Sequence, residues 1–342
     1  MTWTMPPETA PQERVWMAFP REGSTLGETS AEREAGYAAW AEVANTTADF
    51  IGVTMIVDPS ETRRAKTMLA GAVEIVERPV GEFWMRDTGP TFVLDESGRL
   101  GAVDWVFNGW GGHAWSNAGP DEDMARFIAD LAGAECLSSE LVNEGGGLHV
   151  DGAGTVFLTE TVQRDPNRNP GIARAKVEQE MARLLGARQT VWLSQGLTRD
   201  YDDFGTSGHV DIVATSPAPG RILLHAQNNP EHPDHQVMAL IKRELTAARD
   251  ADGNPYEIID MPAPEQLRDD HGWVDYSYIN HLVTNGAVIA CGFGEDRADG
   301  AAREILAHAY PNRTIAMLDS RELFARGGGI HCITQQQPKS VT

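Results

Sequence analysis

The stretch Ala301-Ala-Arg-Glu-Ile-Leu-Ala-His-Ala309, Thr314-Ile-Ala-Met-Leu318 and Arg326-Gly-Gly-Gly-Ile-His-Cys-Ile-Thr-Gln-Gln-Gln337 reads as three pieces. A helix stops before Pro311, a short apolar strand follows, and a loop then carries three glycines into a histidine and a cysteine. Glycine runs allow positive φ and close approach of the backbone to a ligand. A polar loop crowded with backbone donors suits a thiolate better than a core does. Cys332 is therefore a candidate nucleophile, weighed against the ordinary reading of a free cysteine as a small buried hydrophobe.

The same order of helix, strand and polar loop recurs upstream. Residues 29–44 open at a Ser30 cap and place Tyr37, Trp40, Val43 and Ala44 on one face, ahead of a strand at 53–57. A second apolar run at 73–76 leads to Gly81-Glu-Phe-Trp-Met-Arg-Asp-Thr-Gly-Pro90. Residues 121–131 predict a helix with Met124, Phe127, Ile128 and Leu131 inward, leading to Asn143-Glu-Gly-Gly-Gly-Leu-His149. A helix over 170–185 stops at Gly186 and precedes a strand at 190–193 and the loop Gly205-Thr-Ser-Gly-His-Val-Asp211. Residues 234–248 predict a helix, 256–259 a strand, and Val274-Asp-Tyr-Ser-Tyr-Ile-Asn280 a polar, aromatic loop. Hairpins over 92–107 and 210–225 turn at Glu96-Ser-Gly98 and Pro219-Gly220. Five helix-then-strand units without a Pro/Ser linker predict a single ring-like α/β catalytic domain over residues 1–342. A doubly wound sheet is the alternative, but the glycine pattern that cradles a phosphate is missing near the N-terminus.

With 342 residues, 41% of them hydrophobic, the chain has ample material for a core. A net charge of −22 argues against nucleic acid as a partner and for a cationic ligand. The start of the chain has no signal-peptide pattern, and no stretch approaches the ~18 apolar residues of a membrane span. Three widely spaced cysteines, Cys136, Cys291 and Cys332, point to reduced thiols. The expectation is a cytoplasmic protein with no membrane partner, and a homo-oligomer stays open.

If the five loops converge, they bring together Asp87, Glu144, His209 with Asp211, and Cys332. One thiol, one proton shuttle and three carboxylates suit a delocalised cation. A guanidinium fits best, because its planar fork of N–H donors matches carboxylates and its carbon demands a strong nucleophile. His209 and Asp211 share a face if they begin a strand. Arg86-Asp87 taken alone reads as a surface ion pair, and Glu144-Gly-Gly-Gly147 as an ordinary turn. A metal hydrolase built on His225, His232, Asp234 and His235 lacks a recognised zinc spacing. Of the nine tryptophans, Trp84, Trp110 and Trp115 are expected near a ligand, although indole is as often core as recognition.

Four segments resemble the agmatine deiminase and bacterial peptidylarginine deiminase family. They are Trp84-Met-Arg-Asp-Thr-Gly-Pro-Thr-Phe92, Glu144-Gly-Gly146, Gly208-His-Val-Asp211 and Gly327-Gly-Gly-Ile-His-Cys-Ile-Thr-Gln-Gln-Gln-Pro338. Met5-Pro-Pro-Glu8 and Trp16-Met-Ala-Phe-Pro20 also resemble the family's opening, so the likeness spans the chain. The resemblance implies a five-bladed α/β propeller, the pentein fold. It implies hydrolysis of a small cationic guanidino substrate to a ureido product and ammonia, with no metal or organic cofactor. By the same resemblance Cys332 is the nucleophile that forms an amidino-thioether, and His209 protonates ammonia and then activates water. Asp87 and Asp211 clamp the guanidinium, and Glu144 holds His209 or a substrate nitrogen. Trp84 walls the pocket, and Gly329 is expected at the substrate. Agmatine is the leading substrate, with free arginine or peptidyl arginine next, and a silent binder of cations is the reading from a different class. Gly81-Glu-Phe83 and Gly205 depart from the agmatine-specific pattern, with Asp202 and Asp203 displaced upstream, so the far end of the substrate is the part in doubt.

Overall fold

In the computed structural model, which describes residues 2–341, the repeating unit is two antiparallel strands, a helix, and a third strand parallel to the second. One blade is Thr91–Asp95, Leu100–Val106, the helix Met124–Ala132 and Glu135–Val142. The next is Leu148–Val150, Thr155–Thr159, the helix Arg174–Leu185 and Gln189–Leu193. Then come Ala214–Ala218, Arg221–Ala226, the helix Asp234–Ala247 and Glu257–Pro262. The fourth in this order is Leu282–Val283, Ala287–Gly292, the helix Asp296–Ala309 and Thr314–Asp319.

The remaining blade is made from both ends of the chain. Gln12–Ala18 runs parallel to Gly52–Val57 across the helix Ser30–Ala48, and Gly52–Val57 runs parallel to Val73–Glu77. Its antiparallel edge is Thr334–Pro338, which pairs Gln335 with Trp16 and Thr334 with Met17. Trp16 Nε1 donates to Gln337 Oε1 at 2.9 Å across that seam. Five blades, the first sealed by the last strand, give the five-bladed α/β propeller of the pentein fold. Each central strand is flanked on both faces and reads as an apolar run, and Val288, Ile289, Ala290 and Cys291 are all fully buried.

The helices follow their periodicity more closely than their ends do. Tyr37, Trp40, Val43 and Ala44 are buried on one face of Ser30–Ala48 as expected. The cap is Thr29 rather than Ser30: Thr29 Oγ1 accepts from Glu32 N, and Glu32 Oε2 accepts from Thr29 N. The helix expected at 121 starts at Met124, because Pro120 initiates a 3-10 turn over Gly119–Asp121. Leu131 is exposed instead of inward, since it lies in the last turn before left-handed Gly133. The helix expected from 170 starts at Arg174, after a turn in which Gly171 has φ 71°. The last helix starts earlier than expected, at Asp296, with Asp296 and Asp299 in its first turn complementing the helix dipole. His209-Val-Asp211 is not the start of a strand. Val210–Ile212 is a 3-10 turn, and the hairpin strand begins at Ala214. Among the described residues no helix is long and apolar enough to cross a membrane.

The five crossovers between blades carry Asp87, Glu144, His209 with Asp211, Asn280, and Cys332, each shortly before the first strand of the following blade. This placement gathers them on one side of the ring.

Candidate active site

Cys332 is held on the turn that ends in Thr334–Pro338. Its backbone N–H faces Asn280 Oδ1 at 3.4 Å, and its carbonyl accepts from Arg86 N at 3.1 Å. Its Sγ receives Asn280 Nδ2 at 3.2 Å and donates towards Asp211 Oδ2 at 3.5 Å. The side chain is buried, within the polar loop crowded with backbone donors that was expected to suit a thiolate. Burial, then the charges of Asp211 and Asp87, push the thiol well above its ordinary value. In the unliganded site the sulfur holds its proton.

His209 sits between two carboxylates. Nε2 lies 3.3 Å from Glu144 Oε2, and Nδ1 lies 3.9 Å from Asp87 Oδ2. Burial disfavours its charge, but Asp87 and Glu144 outweigh burial and push its pKa up to about 9. Glu144 is fully buried and also accepts from Arg168 Nε at 2.9 Å. Burial would raise its carboxyl, yet Arg168 and His209 hold it below the usual range. Asp87 accepts from Gly146 N and from Trp110 Nε1, each at 2.9 Å. Burial raises it to about 6 despite the attraction of His209.

Asp211 is the carboxylate in contact with the sulfur, its Oδ2 3.5 Å away. One oxygen, Oδ2, is 2.7 Å from His331 Nδ1, whereas buried Oδ1 has no hydrogen-bond partner. Burial would raise this carboxyl, but His331 holds it below its ordinary value. The charges of Asp211 and Asp87 therefore both bear on the thiol, with one acceptor oxygen of Asp211 free to take an N–H donor.

The loops that present these groups are tightly specified. Asp200 accepts the backbone N–H groups of Thr206, Gly208 and His209 at 2.7 to 2.9 Å, which staples the His209 loop. Trp110, Phe204 and Ser207 have φ of 56°, 64° and 69°, a region bulky residues rarely enter. Such strain clusters at functional sites. A Cβ at Gly328 would lie 2.9 Å from both Cys332 Sγ and the Trp84 ring, so Gly328 separates thiol and indole. Gly329, expected at the substrate, turns its Cα towards Asn280 and Phe324, and its backbone donates towards the sulfur.

All five residues expected to carry the chemistry, Cys332, His209, Asp87, Asp211 and Glu144, come together, with Trp84 against them. Arg86 is not part of a surface pair. It is 2% exposed, donating to His331 O and Gln336 Oε1. Trp110 binds Asp87, and Trp115 stacks on Trp110 at 5.1 Å and meets His113 and Phe204. That aromatic row leads to a cavity of about 640 Å3 lined by Asp202, Asp203, Asp275, Arg199, His113 and Phe204. Asp275 is buried there with Oδ1 unpartnered. Gly205 admits no side chain, since a Cβ would lie 2.2 Å from Asp200 O. Gly81 and Glu82 donate their N–H groups to Asp121.

Sequence reasoning misses Asn280, Arg168, Asp200, Glu8 and His331 as functional residues. Asn280 ends the polar, aromatic run of the one crossover without glycines beside a thiol, imidazole or carboxylate, and the fivefold repeat is the signal that points there. His225, His232, Asp234 and His235 serve packing and capping: His232 contacts Val274 O, Asp234 caps Thr198, and His235 meets Gln227 O. Burial lowers His225 to about 3.

The profile of the Porphyromonas-type peptidyl-arginine deiminase family matches residues 4–338. A Streptomyces coelicolor relative, which bears the name agmatine deiminase provisionally, is 51% identical over 342 residues, covering 99% of this chain and 100% of its own. The agmatine deiminase of Stutzerimonas stutzeri is 35% identical over 357 residues, covering 98% of this chain and 95% of its own. The solved structure of the agmatine deiminase of Enterococcus faecalis superposes with a TM-score of 0.91 at 28% identity, covering 99% of this chain and 97% of that one.

Proposed function

The chain belongs to the Porphyromonas-type peptidyl-arginine deiminase family, and from that premise we propose that it is a cytoplasmic guanidine deiminase, one catalytic unit throughout, whose substrate is agmatine. The observation that carries the reading is the unpartnered buried Oδ1 of Asp211, whose other oxygen lies 3.5 Å from the Cys332 sulfur, at a thiol that also feels the charge of Asp87. A guanidinium supplies the missing N–H donors, and its charge satisfies two carboxylates that otherwise repel. The same charge offsets the field that keeps the proton on Cys332, so the thiol loses that proton to solvent when the substrate arrives.

The chemistry then proceeds in two halves. The Cys332 thiolate attacks the guanidinium carbon and forms a C–S bond, and the C–N bond to one terminal nitrogen breaks as protonated His209 gives its proton to the departing ammonia. His209, now neutral, takes a proton from a water that attacks the same carbon. The C–S bond breaks as the proton of the added hydroxyl passes to the departing sulfur, which restores the Cys332 thiol, and the ureido product leaves, N-carbamoylputrescine if the substrate is agmatine. Glu144 orients His209 and stabilises its charge, and Trp84 closes the pocket beside the sulfur.

Agmatine is preferred over arginine because the cavity beyond the aromatic row is acidic. Asp202 and Asp203 face it as exposed carboxylates, beside Asp275, which burial pushes up to about 7, and against Arg199, which is already paired with Asp269 at 2.6 Å. A distal ammonium is attracted there and a distal carboxylate is repelled. The test is ammonia and ureido release from agmatine, arginine and a peptidyl arginine, with acid-quenched mass spectrometry for an adduct on Cys332. Cys332→Ala is expected to lower kcat by about 10³-fold or more while the fold stays intact. Turnover of none of the three by the wild-type protein overturns the enzyme reading, and arginine turned over as well as agmatine overturns the substrate.

A further inference from the structure

His331, next to the cysteine in sequence, bridges two carboxylates. Its Nδ1 is 2.7 Å from Asp211 Oδ2, and its Nε2 is 2.7 Å from Glu8 Oε1. Glu8 comes from the segment ahead of the first blade, 323 residues away in sequence. All three side chains are over nine-tenths buried. Ionised carboxylates are acceptors only, and a neutral imidazole has one donor. Two contacts this short are therefore met together by an imidazolium with a proton on each nitrogen.

We propose that Glu8 and His331 are positioning residues, an imidazolium strut that fixes Asp211 as an anion facing Cys332 and the guanidinium. The inference rests on the deiminase reading for its consequence, not for its geometry. The surrounding groups fit it. Arg86 Nη1 lies 3.9 Å from Glu8 Oε1, and His149 Nδ1 lies 4.0 Å from it. With Glu8, Asp211, His331 and Arg86 charged, the cluster sums to zero, the condition under which buried charges are tolerated. His149 stays neutral, its basicity lowered by burial, and binds Ser216 N through Nε2. His281, lowered to about 4 by burial, contacts Tyr310 Oη and stands behind the cluster. Burial and Arg86 oppose charge on His331, yet Glu8 and Asp211 raise it overall. Cys332 Sγ lies 3.5 Å from the same Asp211 Oδ2 that His331 holds.

The strut also gives the two Asp211 oxygens separate roles. His331 takes Oδ2, which leaves Oδ1 for the ligand. Without the strut a buried Asp211 near Asp87 would pick up a proton and lose its grip on a cation.

Carboxyl-carbon NMR titration of Asp211, assigned through Asp211→Asn, reads this state directly and needs no turnover. In the wild type Asp211 is expected to titrate below the ordinary aspartate range, and in His331→Gln at least about one pH unit higher. Glu8→Gln is expected to move it in the same direction by less, with Glu8→Asp restoring part of the shift. On the enzyme, the acid limb of kcat/KM moves to higher pH in His331→Gln, so the loss relative to the wild type is greater below that limb than at pH 8.5, by about tenfold for each pH unit of the shift. An Asp211 that titrates alike in the wild type and His331→Gln overturns the proposal, as does a variant that loses only thermal stability with an unmoved acid limb. If His331→Gln fails to fold, Glu8→Gln decides, since its amide keeps the shape. Silence of the wild type towards every guanidino compound, with the NMR shift present, would instead remove the deiminase reading and leave the strut.

Discussion

Gly146 lies against the imidazole of His209 so closely that a Cβ there would sit 2.4 Å from Nδ1 and 3.0 Å from Asp87 Oδ1. No side chain fits without moving the proton shuttle or the carboxylate beside it. Gly146→Ala is expected to cut kcat/KM by about 10²-fold, the scale of a displacement near 1 Å at a reacting group. Steady-state kinetics beside circular dichroism checks this, and near-wild-type activity in a folded variant would show that the His209 position is not critical.

Activity should be bell-shaped in pH. Asp87 must be ionised to hold a cation, and its pKa is raised to about 6, so kcat/KM rises as pH climbs through about 6. His209 must be protonated to serve ammonia, and its pKa is raised to about 9, so kcat/KM falls as pH climbs through about 9. Both limbs belong to the coupled cluster, so Asp87→Asn should move the basic limb down as well. A profile that is flat from pH 5 to pH 10 contradicts the assignment.

Arg168 is the counter-charge of Glu144, both side chains having no exposure. Removing one partner of a buried pair strands the other, at a cost of about 3 to 5 kcal/mol. Arg168→Met is expected to lose that much in urea unfolding. It also lowers the basic limb of activity, because a Glu144 that gains a proton no longer supports charge on His209. Loss of stability with an unchanged limb would limit Arg168 to the scaffold.

Asp202 and Asp203 are solvent-exposed and meet the cavity rather than the thiol. Screening keeps each contribution small. The pair Asp202→Asn with Asp203→Asn should lower kcat/KM for agmatine about three- to tenfold while leaving butylguanidine, which has no distal charge, within about twofold. Equal losses on both compounds would move the recognition of the amine elsewhere.

Much of the architecture is legible in the sequence because a propeller repeats. Helix periodicity and strand order recur five times, and each chemical motif lies at the end of a unit. Four of the five crossovers announce themselves through glycines beside a carboxylate, an imidazole or a thiol. Asn280 does not, because an amide in a polar, aromatic run carries no chemical signature until its Nδ2 is seen 3.2 Å from a sulfur. Arg168 and Asp200 lie among surface charges and read as solvated. Element ends shift where Pro120 and Gly171 impose turns that hydrophobic spacing does not register. The charge state of Cys332 depends on burial and on Asp211 and Asp87, long-range facts absent from its neighbours in sequence.

The seam between Thr334–Pro338 and Gln12–Ala18 makes competence a late event in the life of the chain. Until that edge strand emerges and docks, the first blade has an open side, Glu8 has no His331 to meet, and the sulfur has not been synthesised into place. A polypeptide that ends before Thr334–Pro338 lacks the antiparallel edge of the first blade, and one that ends before residue 332 lacks the sulfur as well. The strand that closes the ring begins just after Cys332, so the pairing that seals the first blade also seats the sulfur.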